Sequence, residues 1–217
     1  MSYFWILTSA LVGYLLGSLP FGYLVAKSYG VDIFKIGSGN PGATNVKRTL
    51  GAKAGNTVLV LDIIKGAIAT GWPLLPVIVT PHQQVLAVIG VVAAVLGHSF
   101  SVFTRFKGGK GVATAAGGLL VLMPLACLIA GATWVVIFYA FRYVSLASIL
   151  GAGAIIAAGW LLPSYDLSLR IIASVIGGFV IVRHYENIGR LLKGTESRFV
   201  KNTAPAAAGD QKPTARP

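Results

Sequence analysis

Charge, cysteine and acid are scarce in this sequence. Only 11% of its 217 residues are charged, while 55% are hydrophobic. Soluble domains carry about 25% charged residues, so a soluble globular chain is excluded and much of the apolar surface must meet lipid. The single cysteine, Cys127, lies inside an apolar run, which excludes a disulfide framework and a cysteine-held metal site. The acids are only six: Asp32, Asp62, Asp166, Glu186, Glu196 and Asp210. They form no carboxylate cluster, and there is no His-x-x-x-His, so neither a metal nor another cofactor is expected. No Gly-x-Ser-x-Gly elbow is present, which argues against a serine hydrolase.

Charge is missing altogether over Met1–Ala26, Gly66–Thr104, Val112–Phe141 and Tyr143–Tyr165. Each run can hold at least one membrane helix of roughly 20 residues. The chain is therefore expected to be an all-α polytopic membrane protein. Its spans run from about Tyr3 to Val25, Ala54 to Val79, Val85 to Phe103, two short helices within Val112–Phe141 divided at Met123-Pro124, Ser145 to Leu162, and Leu167 to Val182. The first span is read as retained rather than cleaved, since it lacks a basic leader region. Its Gly13 and Gly17, four apart, suit a small-residue packing face, and Gly17–Gly22, with Pro20, breaks its inner half.

The formal charge of +12 suggests cytoplasmic loops near anionic lipid rather than nucleic acid. It also decides the count. With seven transmembrane helices, Lys27–Lys53, Arg105–Lys110, Arg142 and the C-terminal cations share one side. Among the 18 Lys and Arg, only Arg170 then faces the other, with Lys65 inside the membrane. The expected topology is seven helices, some short or broken, N-terminus outside and C-terminus cytoplasmic. Residues 1–200 form one integral-membrane domain, and residues 201–217, rich in Ala and Pro, a disordered cytoplasmic tail.

The polar residues gather in a few stretches. Gly37-Ser38-Gly39-Asn40-Pro41-Gly42-Ala43-Thr44-Asn45 combines tight-turning residues with hydroxyl and amide groups, flanked by Lys35, Lys47 and Arg48. Backbone N–H groups in such a turn form an anion nest; the alternative is a plain hydrophilic loop. Gly97-His98 leads to Arg105-Phe106-Lys107-Gly108-Gly109-Lys110-Gly111, where cations and glycines suit a phosphate. It is not a P-loop. Ser145 and Ser148 lie three apart at a helix start, where Ser145 could equally be an N-cap. His184, Asn187 and Arg190 share a face if their segment is helical. Asp62 and Lys65, at i, i+3, are either a structural ion pair or part of a functional site.

These stretches resemble the signatures of the bacterial acyl-phosphate:glycerol-3-phosphate acyltransferase (PlsY) family. The resemblance is carried by Ser38–Val46 with Arg48, by Leu61-Asp62 with Lys65-Gly66, by Gly97-His98 through Phe106–Thr114, by Ser145–Ser148, and by His184, Asn187-Ile188, Arg190-Leu191, Gly194 and Glu196. Ser101 stands where the family usually has proline, and Arg105 where a small residue is common.

The resemblance implies that the sn-1 hydroxyl of glycerol 3-phosphate attacks the carbonyl of an acyl phosphate, releasing lysophosphatidic acid and phosphate. It implies a multi-pass protein of the bacterial cytoplasmic (inner) membrane, with its site facing the cytoplasm. Membrane lipid is the expected surroundings; no nucleic acid and no obligatory protein partner are expected. Catalytic roles fall to His184, Asn187, Ser148 and Lys110. Substrate binding falls to Ser38, Gly39, Asn40, Gly42, Thr44, Asn45, Arg48, His98, Lys107, Gly108, Gly109, Ser145 and Arg190. Either His184 or the substrate's own phosphate takes the hydroxyl proton. A transporter or flippase for an organic phosphate is the alternative, and a scaffold for anionic lipid a third reading. The four polar segments are expected to converge on one cytoplasmic pocket.

Overall fold

The computed structural model describes residues 3–199, and the described residues are helical with no strand. The expected tail at 201–217 lies outside the described residues. Ten α-helices run in chain order: α1 Tyr3–Ser18, α2 Phe21–Ser28, α3 Ala43–Leu50, α4 Ala52–Gly71, α5 Gln83–Ser99, α6 Val112–Leu122, α7 Pro124–Phe141, α8 Val144–Leu161, α9 Leu167–Val182 and α10 Tyr185–Leu192. Among the described residues, and against the seven crossings expected, five helical segments are long and apolar enough to cross a membrane: Tyr3–Ser28, Ala52–Leu74, Gln83–Thr104, Pro124–Phe141 and Val144–Leu161. A sixth arises if α9 and α10, bent by 57° from each other, form one crossing.

The breaks fall where the chemistry demands them. Pro20 interrupts the first span between α1 and α2. The second span stops short of the expected Val79: α4 ends at Gly71 and runs into one tight turn over Trp72–Leu74. Pro73 there has no N–H to continue a helical ladder. The run Val112–Phe141 is divided at Met123, as expected, but unequally, into 11 and 18 residues. At 1.5 Å per residue α6 is only about 16 Å long, against a hydrocarbon layer of about 30 Å. It compensates by lying inside the protein. A Cβ on Gly66 of α4 would meet the Thr114 carbonyl oxygen at 2.0 Å, and one on Gly117 of α6 the Ile63 carbonyl oxygen at 2.0 Å. α7 does the opposite and buries only Ala126.

α1 and α5 pack through glycine on both sides. A Cβ on Gly17 would stand 2.1 Å from the Ala94 carbonyl oxygen, and one on Gly97 2.3 Å from that of Tyr14. Such backbone approach suits lipid, where association rests on packing rather than on water exclusion. Ser9 Oγ donates to the Leu86 carbonyl (2.6 Å), and Ser101 Oγ to that of Ser18 (2.6 Å). Ser101, the departure from proline, thus ties the end of α5 to the end of α1.

Two apolar clusters hold the rest. The larger gathers Val91, Leu119, Met123, Ile155 and Ile172 from α5, α6, α8 and α9. The smaller, with Ile33, Val46, Ala54 and Val58, fixes the segment between α2 and α4. That segment carries the glycine-rich loop.

Candidate active site

The glycine-rich loop is shaped from within. Gly37 and Gly39 have φ of 58° and 67°, which glycine adopts without the Cβ penalty. A Cβ on Gly37 would also stand 2.2 Å from Asn45 Oδ1. Asn45 is buried, and both ends of its amide work inside the loop: Oδ1 accepts from Ser38 N–H (3.0 Å), and Nδ2 donates to the Ile36 carbonyl (3.1 Å). Asn40 Oδ1 accepts from Gly42 N–H (2.8 Å). Thr44 lies in the first turn of α3, whose start is capped by no side chain.

The second loop turns through two non-glycine residues in the left-handed region, Arg105 and Phe106, and then Gly111. Gly108 and Gly109 lie against the end of α5. A Cβ on Gly108 would come within 2.1 Å of the His98 carbonyl oxygen, and one on Gly109 within 2.2 Å of His98 Nε2. Arg183, beyond α9, donates from Nη2 to the Gly109 carbonyl (3.0 Å) and stands 5.4 Å from the Phe100 ring centroid. Ser38, Gly39, Asn40, Lys107, Gly108 and Arg183 together line an open cavity of about 350 Å³. Hydroxyl, amide and cations meet there.

Next to it a second cluster closes on Glu196. Glu196 Oε1 accepts from Ser145 Oγ (2.6 Å) and Asn187 Nδ2 (2.7 Å), and Oε2 from Arg190 Nε (2.7 Å). Lys110 Nζ donates to Asn187 Oδ1. Arg48 Nη2 donates to the Ser197 carbonyl (3.0 Å). The segment after α10 therefore returns across α3 and α8. Ser145 is not an N-cap, because α8 begins at Val144 without a side-chain cap and the hydroxyl goes to Glu196 instead.

Burial draws Lys110 down to about 8; Glu196 opposes this, and Arg190 adds to it. Burial alone would raise the Glu196 carboxyl, but hydrogen bonds from Ser145, Arg190 and Asn187 and the Arg190 charge bring it below its ordinary value. Burial, with the Lys110 and Arg183 charges, holds His184 down at about 4, against the partial opposition of the Val180 carbonyl and Glu196. The His184 ring is neutral at pH 7. Its Nδ1 lies 2.7 Å from the Val180 carbonyl oxygen, so Nδ1 carries the hydrogen and Nε2 keeps a lone pair for a donor. Ser148 Oγ donates to the Val144 carbonyl (2.9 Å) and accepts from Trp134 Nε1 (3.1 Å).

The four expected segments thus form two adjoining clusters, joined where Arg183 grips the backbone next to Lys110, rather than a single pocket. His98 lines neither. Its Nδ1 lies 3.5 Å from Asp62 Oδ1, which is 2.8 Å from Lys65 Nζ. Sequence reasoning missed Glu196 and Arg183 as site residues. The signal for Glu196 was its isolation, an acid among Arg190, Lys193 and Arg198. Arg183 carried none beyond its charge. Among the described residues no group of His, Cys, Asp and Glu could hold a metal ion.

The glycerol-3-phosphate acyltransferase family model matches residues 7–194 of the chain. A glycerol-3-phosphate acyltransferase of Geotalea daltonii is 47% identical over 190 residues, covering 86% of this chain and 93% of that protein. One from Aquifex aeolicus is 47% identical over 193 residues, covering 86% and 95%. Two crystal structures of PlsY, an integral membrane glycerol 3-phosphate acyltransferase, are 43% identical to it. The glycerol 3-phosphate form has a TM-score of 0.83 and covers 90% of this chain and 96% of that one. The lysophosphatidic acid form has a TM-score of 0.80, covering 90% and 95%.

Proposed function

The chain belongs to the glycerol-3-phosphate acyltransferase family, and we propose that it takes its acyl group from an acyl phosphate. The observation that carries this is the pair of cation-bearing polar clusters meeting at the Arg183–Gly109 contact. A glycerol phosphate and an acyl phosphate bring two phosphates to one site, and the lipid-facing helices accommodate the acyl chain.

In this reading Ser38, Gly39, Asn40, Lys107, Gly108 and Arg183 cradle one phosphate. Lys110, Arg48, Ser145, Asn187 and Arg190 serve the other, held in place by Glu196. Gly42, Thr44 and Asn45 shape the cradle's rim, and Ser148, buttressed by Trp134, supports the Ser145 side. The sn-1 oxygen attacks the acyl carbonyl carbon, the carbon–oxygen bond to phosphate breaks, and inorganic phosphate leaves. The hydroxyl proton ends on the leaving phosphate, so the reaction balances without an outside acid or base. A neutral His184 Nε2 is suited to accept a hydrogen bond from that hydroxyl and aim it. Because a mixed anhydride is already activated, positioning and charge stabilisation suffice. The site is proposed to face the cytoplasm from the inner membrane, with the N-terminus outside and the C-terminus inside, as the cation distribution directs.

Purified protein in detergent, given acyl phosphate and glycerol 3-phosphate without acyl carrier protein or coenzyme A thioesters, forms lysophosphatidic acid. Turnover only when an acyl thioester is added would overturn the donor. No product at all, together with organic-phosphate transport in liposomes, would overturn the enzyme.

A further inference from the structure

A buried charge cluster stands outside both halves of the site. Asp62 and Lys65 on α4 are 2% and 3% exposed. Asp62 Oδ1 lies between Lys65 Nζ at 2.8 Å and His98 Nδ1 at 3.5 Å. A buried ion pair is often no more stable than apolar residues of the same volume, so its presence in a membrane span calls for a role other than stability.

Its contacts lead to both loops. In one direction Lys65 Nζ donates to the Leu19 carbonyl (2.9 Å), at the break between α1 and α2. Three residues on, Gly22 presses on the glycine-rich loop: a Cβ there would come within 1.6 Å of the Pro41 carbonyl oxygen. In the other direction the His98 carbonyl accepts from Gly109 N–H (3.2 Å), while its ring occupies the space a Gly109 side chain would need. Between the two arms lies a cavity of only about 20 Å³, lined by Leu19, Pro41, Asp62, Lys65, His98 and Gly108. Each arm ends on backbone in contact with a glycine.

We propose that Asp62, Lys65 and His98 are positioning residues that set the gap between the glycine-rich loop and the Lys107–Lys110 loop. The proposal rests on the reading of those loops as the walls of a phosphate site. α4 provides the fixed point, and the carboxylate holds one arm to each loop. A shift in that point moves Ser38 and Asn40 relative to Lys107 and Gly108 without touching a substrate.

The test measures the gap directly and the affinity separately. Spin labels are placed at Lys35→Cys and Lys107→Cys, both exposed, in a Cys127→Ser background, and their separation is read by pulsed electron resonance. Asp62→Asn is expected to broaden or shift the distance distribution. Without the labels it raises the KM for glycerol 3-phosphate by roughly tenfold, equivalent to about 1.4 kcal/mol of binding. Should Asp62→Asn fail to fold, the Asp62→Leu/Lys65→Met double variant removes both charges together and is expected to fold with the same shifted distance and raised KM. An unchanged narrow distance in either folded variant overturns the proposal, and then a raised KM in Lys110→Ala would still support the phosphate reading. A changed distance with an unchanged KM supports the positioning role and overturns the phosphate reading.

Discussion

At the scale of single residues, the site depends on which groups keep their protons. Lys110 is buried enough to lose its charge near pH 8 rather than at its ordinary 10.5. Between those values the unfolded chain holds a proton that the folded chain lacks, so this residue's contribution to stability rises with pH there. Its contribution to phosphate binding runs the other way and fades as the pH passes about 8. The kcat/KM for glycerol 3-phosphate, which reports free-enzyme groups, should therefore fall above pH 8. Lys110→Arg should move that fall well to the alkaline side, since a guanidinium stays charged. A limb that does not move would take Lys110 out of the anion site. His184 stays neutral, and in the proposed reaction its lone pair orients the attacking hydroxyl. His184→Ala should lower kcat at least about tenfold, some 1.4 kcal/mol of barrier, in steady-state assays at pH 7. A smaller loss removes it from the reacting geometry.

At the scale of elements, glycine does the packing. Gly17→Ala forces a methyl against the Ala94 backbone, which has no rotamer to yield. It should destabilise by about 1–3 kcal/mol, read as a lowered Tm in detergent. Gly153 on α8 has nothing within 4 Å of the same atom, and Gly153→Ala should leave Tm unchanged or higher. Much of this level was legible beforehand. Lipid favours long helices with little charge, so charge-free runs located most of the spans, and Met123-Pro124 divided a run too long for one; α4, which carries Asp62 and Lys65, was the exception. Gly13 and Gly17 advertised a close helix contact by their spacing. The polar partners were less legible. Asp62 and His98 are far apart in sequence, and no periodicity links them; their meeting depends on how α4 and α5 pack. Ser145 looked like a cap because caps are local, whereas Glu196 reaches it only after the chain has turned back.

At the scale of the whole molecule, the segment after α10 completes the site from the far end of the sequence. Ser197 receives Arg48, Glu196 collects Ser145, Asn187 and Arg190, and Phe199 N–H donates to the Arg142 carbonyl at 2.7 Å. Glu196 is also the strongest charge acting to keep Lys110 protonated. Glu196→Gln should therefore shift the alkaline limb of kcat/KM to lower pH, although the substituted residue lies 86 positions from Lys110 (196 − 110). A limb that stays in place would show that the two act independently.

The 11-residue α6 has a consequence for where two immiscible reactants meet. α7 is long enough to cross the hydrocarbon layer and shares the turn at Met123 with α6. With α6 upright in the proposed membrane orientation, the loop that opens it would end about 14 Å short of the opposite face, taking about 16 Å from about 30 Å. On that placement Lys110 would stand below the level of the surrounding headgroups. In the proposed reaction the water-soluble reactant would then descend to the acyl carbonyl. The chain need not be drawn upward, at about 0.8 kcal/mol for each methylene exposed.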